Sequence, residues 1–176
     1  MMRTSTHSRP TRRQAGFSLL EVLIATLVLS AGLLGLAGLQ IAGMKTTHNS
    51  YQMQQATWLV HDLLERMRVN RAGAYAGNYN GTLDGATACG GAPTCAVATA
   101  CTKAETANID LFQVRCGTGT VGGLRNDLMG ASLTVTCVGG VCRNGVNINV
   151  VWSERNSSSK VGNNTEQSNI NLNAVL

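Results

Sequence analysis

Apolar side chains run almost unbroken from residue 17 to residue 44, and Glu21 is the single charge among them. Residues 22–39 give 18 consecutive positions without a charge, enough for a helix across the roughly 30 Å hydrocarbon layer of a bilayer. Near residue 50 the pattern changes without a Pro or Gly to break it. Ala56, Leu59, Val60, Leu63, Leu64 and Met67 recur at spacings of three and four, marking one face of an amphipathic helix, while Asp62, Glu65, Arg66 and Arg68 take the other. The two stretches together predict one helix over residues 18–70, about 80 Å long.

Residues 72–103 are rich in Gly, Ala, Asn and Thr and read as a loop. Residues 102–115 read as a short helix with Ile109, Phe112, Ala104 and Leu111 inward, and 117–123 as a flexible link. Strand alternation comes late. Leu133, Val135 and Cys137 share one face; Val146, Ile148, Val150 and Trp152 oppose Asn147 and Asn149; Ile170, Leu172 and Ala174 oppose Asn171 and Asn173. Three such strands in succession, joined by polar loops that include residues 156–167, predict an antiparallel meander with one buried face. The apolar face of the helix is available to cover it. The expected fold is α+β: a long N-terminal helix, transmembrane in its first half, packed on a C-terminal antiparallel sheet with disulfide-stapled loops. The segments are a leader (1–16), the membrane half of the helix (17–44), its amphipathic half (45–71) and a globular head (72–176). The head divides into a cysteine-rich loop region (72–130) and the sheet (131–176).

Charge sharpens this picture. The chain carries 14 basic and nine acidic side chains, and Arg3, Arg9, Arg12 and Arg13 place four of the basic ones in the leader, where no acid lies. From residue 17 onward ten basic residues face nine acidic ones, so the rest of the chain has no electrostatic footprint for nucleic acid. Leader arginines against Lys45 alone beyond the apolar run put the N-terminus in the cytoplasm and the head on the far side. The apolar run is longer than that of a secretory signal peptide and ends in no small-residue cleavage site, so it reads as retained.

Six cysteines, Cys89, Cys95, Cys101, Cys116, Cys137 and Cys142, all follow the apolar segment. An even number beyond an export signal reads as a disulfide framework. No Cys-x-x-Cys occurs, and His48 and His61 lie in another segment, so a metal site is not expected. One pair follows from geometry. With Gly139-Gly140 as a two-residue hairpin turn, Cys137 and Cys142 fall opposite each other at a non-hydrogen-bonded site, close enough to bridge. The other four cysteines allow three pairings.

The segment Gly16-Phe17-Ser18-Leu19-Leu20-Glu21, after arginines and before an apolar run, resembles the signal of type IV prepilins and pseudopilins. The resemblance implies cleavage between Gly16 and Phe17 by a prepilin peptidase, N-methylation of Phe17, and pairing of Glu21 with the terminal amine of a neighbouring subunit. Physical chemistry bears on two of these positions. A peptidase that closes over the backbone favours a residue without a side chain. A lone carboxylate within an apolar helix costs roughly 2–3 kcal/mol in the bilayer and seeks a partner. Gly32, Gly35 and Gly38 read either as close-packing positions or as places where the helix loosens.

Further segments are similar to the minor pilin family called PilV, the type IV pilus modification protein. They include Gln40, Thr46-Thr47-His48-Asn49-Ser50-Tyr51, the run from Asp62 to Arg71, Asp110-Leu111-Phe112 and Val150-Val151-Trp152-Ser153-Glu154. This resemblance implies a low-abundance pilus subunit that primes assembly with other minor and major pilins. It would sit near the tip, beneath a large adhesin, after residence in the bacterial inner membrane. A minor pseudopilin of type II secretion and a pilus-borne module for adhesion or DNA uptake are the alternatives. No cofactor, catalytic residue or enzymatic activity is expected: His61, beside the apolar stripe, reads as an interface residue, and Gly117-Thr118-Gly119-Thr120-Val121-Gly122 lacks the strand and helix a dinucleotide loop requires.

Overall fold

A computed structural model describes residues 16–97, 100–118, 122–155 and 165–176. The arginine-bearing part of the leader, the centre of the 117–123 link and residues 156–164 of the polar loop lie outside them. The chain divides into two compact units, residues 1–45 and 46–176. Helix α1 (Leu19–Val69) contributes its first part to one and its second part to the other.

In the first unit α1 stands alone among the described residues. Its large apolar side chains are exposed throughout, Leu19 at 90% and Leu34 at 75%. An 18-residue window of this helix reaches a mean hydropathy of 2.3, and none of it is covered by the rest of the chain.

The second unit follows α1 with α2 (Arg71–Tyr75), β1 (Gly81–Asp84), α3 (Lys103–Cys116), α4 (Leu124–Asp127), β2 (Ser132–Cys137), β3 (Val146–Arg155) and β4 (Thr165–Ala174). The strands form one antiparallel sheet in the order β1-β2-β3-β4. All six apolar residues of the predicted helix stripe are buried, from Ala56 to Met67, and they pack with Leu133, Val135, Val146, Ile148, Val150 and Trp152 from the inner sheet face. Long helix and sheet thus share one core, as the alternation of the late strands implied.

Trp152 anchors that core. It is fully buried, and its indole N–H donates to Glu154 at 3.0 Å. Trp152→Ala is expected to cost about 3–5 kcal/mol, lowering Tm on the order of 10 °C. Thermal unfolding of the full chain in detergent measures this, and an unchanged Tm contradicts the placement.

Four details differ from the expectations. Residues 72–103 are not all loop: α2 and β1 lie within them, and β1 lengthens the meander to four strands by pairing Leu83 with Leu133. Helix α3 turns Ala107 and Val114 inward and packs Leu111 against the core as expected, while Ala104 is exposed and Ile109 and Phe112 are half-buried. The two-residue turn at Gly139-Gly140 does not form. Cys137 pairs with Val146 at the end of the ladder, and residues 138–145 make two successive tight turns closed by the Val138 N–H to Gly145 carbonyl bond at 3.0 Å. Gly145 has φ +128°, and a Cβ there would come within 2.9 Å of the Ala174 carbonyl, so the chain enters β3 through a residue that only glycine fits. Finally, a single helical turn, α4, does follow Gly123.

Polar contacts set α3 on the core. Its start is a capping box: Thr102 Oγ1 accepts from the Glu105 N–H at 3.2 Å, and the Glu105 carboxylate accepts from the Thr102 N–H at 2.7 Å. That carboxylate also accepts the Ala96 N–H at 2.8 Å, and these bonds, those of Thr102 first, hold it below the usual carboxylate range. Farther along, Asp110 receives Arg66 Nη1 at 3.2 Å and the Tyr79 hydroxyl, while Arg66 Nε donates to Asp62 at 2.9 Å. Burial, then the bond to Asp110, pushes the Tyr79 hydroxyl well above its ordinary pKa. Asn70 completes the network by donating to Tyr79 Oη at 3.1 Å and to the Lys103 carbonyl at 2.8 Å.

Candidate assembly site

Helix α1 opens on Ser18. Its carbonyl accepts the N–H of Glu21 at 3.0 Å and of Val22 at 3.3 Å, and its hydroxyl accepts the N–H of Leu20 at 3.3 Å. Ser18 and Glu21 have the spacing of a capping box, yet the Glu21 side chain takes no part in one. Among the described residues nothing bonds to its carboxylate, which is exposed. The other polar groups nearby are satisfied within the helix: Thr26 donates to the Leu23 carbonyl at 2.9 Å and Ser30 to the Leu27 carbonyl at 2.8 Å. Glu21 therefore remains as a charge on an apolar rod.

Around it lies a shallow groove of about 330 Å³ lined by Phe17, Glu21, Val22, Ala25, Thr26 and Leu29. Phe17 is 84% exposed at its rim. Gly16 has open space around it, with nothing within 4 Å of where a Cβ would stand, so packing within the chain gives no reason for a glycine there. Gly32, Gly35 and Gly38 are equally open. Chemically, the arrangement offers one acceptor of negative charge set in an apolar surface, suited to a cation that arrives with apolar neighbours.

In the second unit, the face of α1 opposite the core carries Tyr51 and Trp58, exposed and seven residues apart. Sequence reasoning named Tyr51 only within a segment that carries a family resemblance and passed over Trp58, although Trp58 falls outside the stripe from Ala56 to Met67 and so had to point away from the core. His61 is exposed on that outer side rather than at an interface within the chain. The Asp62–Arg66 pair joins α1 to α3 through Asp110. No group of three or more metal-ligating side chains occurs among the described residues.

Three disulfides tie the head. Cys89–Cys116 fastens the loop after β1 to the end of α3, Cys95–Cys101 closes a small loop before α3, and Cys137–Cys142 closes the turns between β2 and β3.

Residues 11–37 match the family model of the prokaryotic N-terminal methylation motif, and residues 38–112 match that described as Type IV pilin Tt1218. The two matches adjoin, spanning the motif, the whole of α1 and the chain as far as α3. No curated protein and no solved structure matches the chain.

Proposed function

We propose that this chain, a type IV pilin with a prepilin N-methylation motif, enters the filament as a minor subunit that supports the start of pilus assembly. The observation that carries the reading is the Glu21 carboxylate, unpartnered within the described chain and set in an exposed apolar helix. In lipid such a charge is unfavourable; beside the amine that cleavage creates on Phe17 of an adjoining subunit it is satisfied. Assembly then follows from the same physics as membrane residence.

On this reading residues 1–16 are removed by the prepilin peptidase, residues 17–44 hold the chain in the inner membrane, and the head folds in the periplasm before the subunit moves into the pilus. The balanced charge beyond the leader supports a role among other pilins over one in holding DNA. The similarity of the segment from Asp62 to Arg71 to minor pilins supports the low-abundance role over that of a major subunit.

Deleting the gene and counting surface pili tests this. The expected outcome is a severalfold fall in pilus number, restored by a copy supplied in trans, with the chain present at low abundance in sheared pili. Unchanged pili together with a loss of type II secretion would overturn the pilus role in favour of the pseudopilin reading.

A further inference from the structure

Among the described residues the sheet ends on one side in an uncovered edge. Strand β4 bonds to β3 alone, in an unbroken one-to-one register from Thr165 opposite Arg155 to Ala174 opposite Val146. Every second residue of an edge strand turns its N–H and C=O away from its neighbour, and no backbone hydrogen bond among the described residues reaches that side of residues 167–174. Natural edges are blunted by a short strand, a proline, a charged side chain or a bulge. The opposite edge follows that rule: β1 has four residues and ends on Asp84, which accepts the Ala86 N–H at 2.8 Å. In β4 the run Gln167-Ser168-Asn169-Ile170-Asn171-Leu172-Asn173-Ala174 has no charge, no proline and no bulge over about 26 Å.

The two flanks of this edge differ in chemistry. On the inner side Ile170, Leu172 and Ala174 pack against the core yet stay half-buried, whereas their β3 partners Val150, Ile148 and Val146 are buried. The apolar layer therefore stops in the open at β4. On the outer side Asn171 and Asn173 are exposed, and their side-chain oxygens accept from Asn147 Nδ2 at 2.6 and 2.7 Å. Their own amide nitrogens donate to nothing among the described residues.

We propose that the β4 edge receives an extended strand from a neighbouring protein of the pilus, which continues the sheet. The proposal rests on the pilin reading for where that partner is met, and the edge itself selects the occupant. Only an extended backbone presents donors and acceptors at strand spacing; a helix, a lipid or a lone side chain leaves the ladder unpaired. The open inner layer calls for apolar side chains at alternate positions, and the neutral amide row calls for uncharged acceptors between them. The occupant is therefore an uncharged segment as long as residues 167–174, with apolar residues alternating with Asn, Gln, Ser or Thr. A second copy is a poor match. Antiparallel pairing of two β4 edges about an axis normal to the sheet reverses one α1 against the other, whereas subunits anchored through this segment in one membrane run the same way. Parallel pairing sets the apolar flank of one copy beside the amide flank of the other, and β1 of a second copy spans only four residues.

The test places a photo-crosslinking residue in turn at Asn169, Asn171 and Asn173 of the full chain in its own cells, and reads the products from sheared pili. Strand addition is expected to capture one partner protein, in a segment of the stated composition. The crosslinked site is expected to move two residues along that segment for each two-residue step of the probe. The same probe at Thr82, on the β1 edge, is expected to capture severalfold less. Ile170→Lys, an inward-pointing charge of the kind that protects natural edges, is expected to lower capture from Asn171 severalfold. Thermal unfolding in detergent shows whether that variant is folded, and the stepping pattern of the other probes stands even where it is not. No capture, one site captured from all three probes, capture of β4 of a second copy or of a charged segment, or full capture in a folded Ile170→Lys variant would overturn the proposal. Absence of the unsubstituted chain from sheared pili overturns the filament reading, and this proposal with it.

Discussion

Gly16→Leu is expected to leave the chain at its full uncleaved mass in the membrane, with almost none of the mature form. The reasoning has two parts. Nothing in the fold requires a glycine at this position, because a side chain there meets open space. A substitution therefore does not disturb folding or insertion, and the effect isolates what happens when a peptidase must close over the backbone. Intact-mass measurement of membrane-extracted protein reads the outcome directly: the leader of 16 residues and the methyl group on Phe17 both change the mass. A mature, methylated product from Gly16→Leu would contradict the assignment of residues 16 and 17 as the processing site.

Glu21→Ala is expected to act at the next step. The variant is still cleaved and held in the membrane, since the apolar segment becomes more uniform, but it enters pili poorly. A lone carboxylate in the bilayer costs roughly 2–3 kcal/mol, and the pairing proposed for the filament would recover that cost. Removing the group removes the difference, which corresponds to a loss of about 30- to 150-fold in preference for the filament. Glu21→Gln separates charge from shape: it keeps the size and one acceptor oxygen but carries no charge to balance an ammonium, and it is expected to fail nearly as badly. Immunoblots of sheared pili against membranes give the ratio. Normal incorporation of either variant would remove Glu21 from the assembly step.

Much of this was legible in the amino-acid sequence because the physics involved is local. The apolar stretch from residue 17 and the stripe from Ala56 to Met67 announce their environments by composition and period, and β2, β3 and β4 alternate as half-buried strands must. Strand β1 was not legible. Its four residues include one apolar side chain, Leu83, and it is a strand only because the β2 edge is there to pair with. The inward face of α3 was misread for a different reason. Asp110 lies on that face with Ala107 and Val114, and a carboxylate reads as solvent-facing until its partners Arg66 and Tyr79, more than thirty residues distant, are in view. The assembly site divides the same way. Glu21 stands out from sequence because it violates its surroundings, whereas the exposed Trp58 is a single aromatic that shows only once the opposite face of α1 is seen to be buried.

The three disulfides carry a consequence for how the head reaches its native state after export. Their partners are separated by only 5, 6 and 27 residues, and none joins an N-terminal element to β3 or β4. Closing short loops costs little chain entropy, and the bridged pairs meet without waiting for distant segments. Oxidation can therefore proceed locally, and Cys89–Cys116 needs no residue of β4 to be in place. In the meander that remains, β2, β3 and β4 pair in chain order across single connections, while β1 joins last from farther back in the chain, Leu83 meeting Leu133. A head built this way leaves few strand edges open for long while it folds, which limits mispaired thiols and sheet-to-sheet aggregation.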